Sequence, residues 1–89
     1  MSRSNINAVL RMVKKYLKGE TDSASFCRDF PREVVCRYEK MAREDLRYAH
    51  LILYRLVENG TDRSHKLSEE EFRGLIRQQY DDIMNGVIN

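Results

Sequence analysis

The apolar stretch LRYAHLILYRLV at residues 46–57 constrains the fold more than any other part of the chain. On a helix that turns about 100° per residue, one stripe is formed by Leu46, Ala49, Leu53, Leu56 and Val57. Ile52 widens the stripe on one side, and His50 and Tyr54 widen it on the other. A helix that is apolar over so broad an arc is surrounded by other helices. The stretch therefore predicts the buried member of a small helical bundle.

Length and composition favour a single all-α domain over residues 1–89. Its 42% hydrophobic and 34% charged residues are a globular composition, and its length is that of one domain. One proline and four glycines are few for an all-β chain, which needs a turn about every 8–12 residues. We find no run approaching the ~18–20 apolar residues of a membrane span and no signal peptide, so we expect a cytoplasmic protein.

Two further segments carry clear helix signals. Apolar residues at helical spacing predict a first helix over residues 4–18, capped by Ser4 or Asn5 and ended by Gly19. The last helix begins with a capping box, Ser68 with Glu71, inside a hydrophobic staple. The staple pairs Leu67 with Phe72, and the apolar face of this helix continues through Leu75, Ile76, Tyr80, Ile83 and Met84. Gly86 is the expected terminator, and we expect the tail Val87–Asn89 to fray.

The middle of the chain leaves two questions open. Phe26, Phe30, Val34, Tyr38 and Met41 share one helical face, and Pro31 interrupts their run. Pro31 either kinks a single helix over residues 22–41 or is the first residue of a new one.

The apolar phase also shifts between residues 41 and 46. This shift favours a short break near Arg43–Glu44, with one long helix over residues 31–58 as the alternative. The predicted fold is an antiparallel four-helix bundle whose second helix is kinked or broken at Pro31.

No pattern of reactive residues predicts catalysis or a metal site. The candidate ligands Cys27, Cys36, His50 and His65 lack the close pairs of a zinc site. The chain has no nucleophile motif and no glycine-rich phosphate loop. Cys27 and Cys36 lie on opposite sides of one helix, so we expect free thiols. The sequence does not predict an enzyme, a cofactor or a metal.

The charges are distributed unevenly along a chain whose net charge is +2. Residues 1–47 hold 11 Lys and Arg against 7 Asp and Glu, and residues 48–89 hold 5 against 7. A basic front half permits the alternative of a small nucleic-acid-binding or regulatory adaptor domain. Acidic residues are interleaved among these cations, as on an ordinary solvated helix surface.

Two stretches, YLKGETDSASFCRDF at residues 16–30 and LSEEEFRGLIRQQYDDI at residues 67–83, carry a family resemblance. Together they resemble the small helical immunity proteins of the colicin D-like group and of contact-dependent growth inhibition systems. The matching features are a first helix ending in Tyr-Leu-x-Gly, a Phe-x-x-x-aromatic helix, and a last helix opening on an acidic cap. In this chain they are Tyr16, Leu17, Gly19, Phe26, Phe30, Ser68, Glu69, Glu70, Glu71, Phe72 and Arg73.

The resemblance implies a bacteriocin-type immunity protein that binds a cognate toxin domain, often a nuclease, and occludes its active site. Acidic side chains would then stand in for nucleic-acid phosphates. The chain differs from the acidic members of that group in its charge of +2. We expect a monomer without a cofactor. Its predicted contact surface consists of Glu58, Asp62, Glu69 and Glu70, with Tyr54 as an aromatic anchor.

Overall fold

The computed structural model describes residues 3–86, and this part of the chain is helical without any strand. Three α-helices are present: α1 (Ser4–Leu17), α2 (Ser23–Leu51) and α3 (Glu69–Met84). A π-helix, Ile52–Glu58, continues α2 directly, and a 3₁₀-helix, Thr61–Lys66, precedes α3. We call these two the π segment and the 3₁₀ segment. The all-α prediction is confirmed, whereas a count of four helices is not. The expectation for Val87–Asn89 lies outside the described residues.

Helix α1 is terminated at Gly19, as the sequence predicts, but its first turn is not capped by the residues that the sequence predicts. Gly19 has φ +84°, its N–H donates to the carbonyl of Tyr16, and the N–H of Glu20 donates to the carbonyl of Lys15. These two bonds form a Schellman motif, which needs the left-handed conformation that glycine adopts freely.

The start of α1 is capped from a distant part of the chain. The Glu44 carboxylate accepts the backbone N–H groups of Asn5 and Ile6, both at 3.0 Å, and the Asn5 amide at 2.7 Å. The helix starts after Arg3, which makes no side-chain cap. The predicted local cap by Ser4 or Asn5 is therefore replaced by a carboxylate across the fold, which also complements the helix dipole.

Helix α2 passes through Pro31 without a break, and the residue inside it with non-helical backbone angles is Asp45 (φ −165°, ψ 101°). The Asp45 carboxylate accepts the backbone N–H of Tyr48 at 3.1 Å, so it caps the helical turns that follow. The expected interruption near Arg43–Glu44 lies one residue later. It divides α2 into a first arm, residues 23–44, and a second arm that runs into the π segment.

The buried stripe of the second arm differs from the predicted one. Ala49, Ile52 and Leu56 are fully buried, but Leu46 is 66% exposed. Leu46 follows the extended Asp45, so it restarts the helix facing outward. The π segment then holds more residues per turn than an α-helix, which moves later side chains out of the expected phase.

An aromatic cluster joins the three helices in the core. The Phe26 ring stacks on Tyr16 of α1 at 4.5 Å between centroids and on Phe30 at 4.9 Å, and it lies 6.4 Å from Phe72 of α3. All four side chains are buried, as the sequence predicts. The predicted capping box of α3 is also present, with Ser68 and Glu71 bonded reciprocally. At the far end of α3, Met84 is 41% exposed, so it contributes less to the buried face of this helix than the sequence predicts.

Within residues 3–86, no helix is both long enough and apolar enough to span a bilayer.

Replacing Glu44 with glutamine is expected to lower the midpoint of thermal unfolding at pH 7 by roughly 5 °C. Desolvation raises the pKa of Glu44, but its hydrogen bonds from Ile6 and Asn5 outweigh this and hold the pKa below its usual 4.5. The ionised carboxylate therefore stabilises the fold above pH 4.5, and this stabilisation is lost as the pH falls through the lower, folded value. Thermal unfolding followed by circular dichroism between pH 3 and 7 should show a flatter acid limb for Glu44→Gln.

The matched control for that measurement is Glu39→Gln, because the Glu39 side chain is 90% exposed. It should reproduce the parent curve. An acid limb in Glu44→Gln that is as steep as the parent's would contradict the capping role of Glu44.

Candidate functional site

The predicted contact residues lie on three consecutive elements. Tyr54 and Glu58 belong to the π segment, Asp62 to the 3₁₀ segment, and Glu69 and Glu70 to the first turn of α3. All five side chains are exposed. The 3₁₀ segment contacts both the π segment and α3, and the π segment contacts α3 as well. The five residues thus lie on three elements that contact one another, and we call these five residues together the acidic surface.

The carboxylates of the acidic surface have no partner within residues 3–86. Neither a hydrogen bond nor an ion pair engages Glu58, Asp62, Glu69 or Glu70 in that part of the chain. Elsewhere carboxylates stabilise the fold: Glu44 caps α1, and Glu33 pairs with Arg37 at 2.9 Å. The carboxylates of the acidic surface are thus available to a partner without breaking an internal contact.

The local charge is negative although the chain is basic overall. Residues 58–71 contain five carboxylates and two cations, Arg63 and Lys66. The Arg63 guanidinium donates to the amide oxygen of Asn59 at 3.2 Å and is not paired with an acid. Glu71 is held by the capping box, where the hydrogen bond from the backbone of Ser68 lowers its pKa. A surface of this kind attracts a cationic partner.

Tyr54 is 48% exposed and is held in place by its neighbours. Its ring stacks on His50 with 6.1 Å between centroids and 4° between planes. Its carbonyl accepts both the backbone N–H of Asn59 at 3.0 Å and the Asn59 side-chain amide at 2.8 Å. An ordered, half-exposed tyrosine beside unpaired charges is typical of an interface anchor.

Sequence analysis did not anticipate that Arg55, next to Tyr54, is buried. It is 8% exposed, and its Nη1 donates to Gln79 at 3.1 Å and to Asp82 at 3.3 Å. These contacts attach the π segment to α3 and so orient the exposed residues beside them. The signal in the sequence was a lone arginine inside the most apolar stretch, since a buried arginine needs acceptors. Nothing local identifies Gln79 and Asp82 as those acceptors.

Some of the basic residues in the first half of the chain form ion pairs with neighbouring carboxylates. Arg28 pairs with Asp29 at 2.9 Å, Arg37 pairs with Glu33, and Arg43 lies 4.0 Å from Glu39. These contacts dilute the positive surface along the first arm of α2. The nucleic-acid alternative therefore relies on the cations of the first half outside these pairs, which are Arg3, Arg11, Lys14, Lys15, Lys18, Arg32, Lys40 and Arg47.

The thiols and histidines do not converge on a reactive centre. Cys27 is half-buried and Cys36 exposed, and both are free. In the described range 3–86, no three or more His, Cys, Asp or Glu side chains are placed to hold a metal ion. His50 and His65 are both exposed.

Fold and surface together define a small all-α protein with an exposed, unpaired acidic surface. No family model, no curated protein and no solved structure matches the chain.

Proposed function

We propose that this protein is an immunity protein that binds a bacterial toxin domain and neutralises it by covering its active site. The observation that carries the proposal is the acidic surface, whose four carboxylates are exposed and have no partner within residues 3–86. The resemblance of residues 16–30 and 67–83 to colicin D-like immunity proteins points in the same direction.

The proposed mechanism is electrostatic mimicry. A nuclease active site is lined by cations that bind substrate phosphates, and carboxylates on a rigid helical surface can occupy the same positions. Glu58, Asp62, Glu69 and Glu70 would accelerate the encounter, and Tyr54 would pack against the toxin once the complex forms. The protein acts as a cytoplasmic monomer without a cofactor, since binding alone blocks the substrate.

The fold suits this mechanism because it keeps the surface rigid. In this proposal the two arms of α2 serve as separate helices, and with α1 and α3 they form the antiparallel four-helix arrangement predicted from the sequence. The Arg55 contacts to α3 then fix the π segment beneath Tyr54 and Glu58. Little conformational freedom would be lost on binding.

The proposal is tested by growth protection. Cells carrying an inducible toxin domain encoded beside this protein's gene are expected to grow when the protein is co-produced and to stop growing without it. The two proteins should also co-purify as a one-to-one complex. Arrest of growth in the presence of the well-folded protein would refute the proposal.

Reversing two charges of the acidic surface, Asp62→Lys with Glu69→Lys, is expected to slow association with the toxin about tenfold or more at low salt. The reason is that both carboxylates are exposed and steer the partner before contact. Stopped-flow measurements of the association rate constant across salt concentrations provide the test.

The matched control is Glu39→Lys with Asp81→Lys, which changes the net charge equally at exposed positions outside the acidic surface. We expect the control to associate within about twofold of the parent. Equal slowing by both pairs would show that net charge, and not this surface, steers the toxin.

The alternative function, a small nucleic-acid-binding or regulatory adaptor domain, rests on the basic residues of the N-terminal half. A gel-shift titration of the isolated protein separates the two functions. Tight binding to DNA or RNA that weakens steeply with salt would favour the alternative.

A further inference from the structure

A cleft of about 500 Å³ lies between one face of α1, the second arm of α2 and the end of α3. Helix α1 contributes its polar wall, Tyr48 comes from α2, and α3 contributes Tyr80 and Met84. The volume falls within the roughly 300–1,000 Å³ of small-molecule sites. An inorganic ion would leave most of this space empty.

The polar wall of the cleft is cationic. Arg3, Asn7, Arg11 and Lys14 line it, and their spacing places them along one face that runs from the residue before α1 to its last turn. Neither Arg11 nor Lys14 has an ion-pair partner in the described part of the chain. No carboxylate is among the residues that line the cleft. Three cationic side chains therefore line the cleft, and the charge of one of them, Arg3, is partly offset by Glu44, whose pKa it helps to lower.

Arg3 is incompletely satisfied. Its guanidinium lies over the ring of Tyr48, 4.3 Å from the centroid. Its Nε and Nη2 are shielded from solvent, and among residues 3–86 neither has a hydrogen-bond acceptor. Shielded cationic N–H groups without acceptors are costly, and an anion in the cleft would remove that cost. This is an observation on Arg3 alone and does not depend on the volume of the cleft.

We infer that this cleft binds a phosphate-bearing small molecule of about nucleotide size. Arg3, Arg11 and Lys14 would hold the phosphate, since arginine and lysine supply the donors that phosphate oxygens accept. The remaining volume is bounded by Leu10, Tyr48, Tyr80 and Met84, which offer an apolar and aromatic wall for a planar group.

The cleft is separate from the acidic surface. Glu69 begins α3, whereas Tyr80 lies 11 residues further along the same helix, a rise of roughly 16 Å. The inference thus stands or fails independently of toxin binding.

The test is calorimetric titration of the full chain, in a phosphate-free buffer, with adenosine 5′-monophosphate, inorganic phosphate and adenosine. Adenosine 5′-monophosphate is expected to bind most tightly, because it alone engages both the cations and the aromatic wall. Backbone amide shifts in NMR spectra should locate the change at Arg3, Tyr48 and Tyr80. Absence of binding up to about 10 mM nucleotide would overturn the inference.

Variants distinguish a built site from general attraction. Arg11→Ala with Lys14→Ala should weaken nucleotide binding about tenfold or more, since both lost cations line the cleft. Lys15→Ala with Lys18→Ala removes the same charge from exposed positions outside the cleft and should change the affinity less than about twofold. Equal weakening by the two pairs would overturn the inference. So would much tighter binding of a single-stranded 12-mer than of the mononucleotide, which would instead indicate a nucleic-acid surface.

Discussion

Replacing Gly60 with alanine is expected to destabilise the protein by about 3 kcal/mol or more. Gly60 is buried between the π segment and the 3₁₀ segment, where a Cβ atom would overlap the backbone carbonyl of Leu56. It would also lie 2.9 Å from Cδ1 of Ile76 in α3. Neither neighbour is a flexible side-chain tip with space behind it, because Leu56 presents its backbone and Ile76 is fully buried. Urea unfolding followed by circular dichroism measures the change.

Gly74→Ala is the matched control, and its effect should have the opposite sign. Gly74 lies within α3, and a Cβ there meets no atom within 4 Å. The substitution should stabilise the protein by about 0.5–1 kcal/mol, because alanine loses less conformational entropy in a helix. If Gly60→Ala were as stable as the parent, the π segment and the 3₁₀ segment would not be packed as closely at Gly60 as the structure shows.

Replacing Phe26 with alanine is expected to cost about 3–5 kcal/mol of folding free energy. Phe26 is 1% exposed and its ring contacts those of Tyr16, Phe30 and Phe72. Its removal leaves a cavity at the junction of the three α-helices. Since domains of this size are stable by only about 5–15 kcal/mol, the variant should unfold at much lower urea concentration.

Tyr54→Ala provides the comparison for Phe26→Ala, because it removes an aromatic ring that is 48% exposed. Its cost to stability should be about 1 kcal/mol or less. A small loss of stability in Phe26→Ala would mean that the aromatic cluster is not the centre of the core.

The elements predicted correctly from the sequence are those with local causes. The Schellman motif at Gly19 and the capping box of Ser68 and Glu71 each involve residues within five positions of one another. The α1 cap could not be predicted in this way. Glu44 reaches Asn5 across 39 positions, and only the assembled fold brings them together.

In the second arm of α2, a small backbone irregularity makes the helical periodicity of the sequence a poor guide to which side chains are buried. The extended angles at Asp45 and the wider turn of the π segment rotate Leu46 outward and Arg55 inward. The predicted stripe included Leu46 because it assumed an ideal turn of about 100° per residue, and the burial of Arg55 was not predicted.

The exposure of Glu58, Asp62, Glu69 and Glu70 was predictable, because charged side chains are mostly solvated, and all four are exposed in the structure. Their role in binding a partner stays a prediction. The cleft beside Arg3 was not predictable, since its walls come from three separate helices. The identity of the partner that binds the acidic surface depends on the partner's own residues, which this sequence does not contain. A binding experiment is therefore needed to identify it.

The most direct test searches for a toxin domain encoded beside this protein's gene, purifies it if it is present, and titrates it with the protein, with nucleic-acid cleavage as the readout for a nuclease domain. If the protein covers the toxin's active site, cleavage should fall linearly as the protein is added and stop at one equivalent. The variant Asp62→Lys with Glu69→Lys should inhibit more slowly than the control Glu39→Lys with Asp81→Lys. Cleavage that continues undiminished at a several-fold excess of folded protein would contradict the proposal that this is an immunity protein.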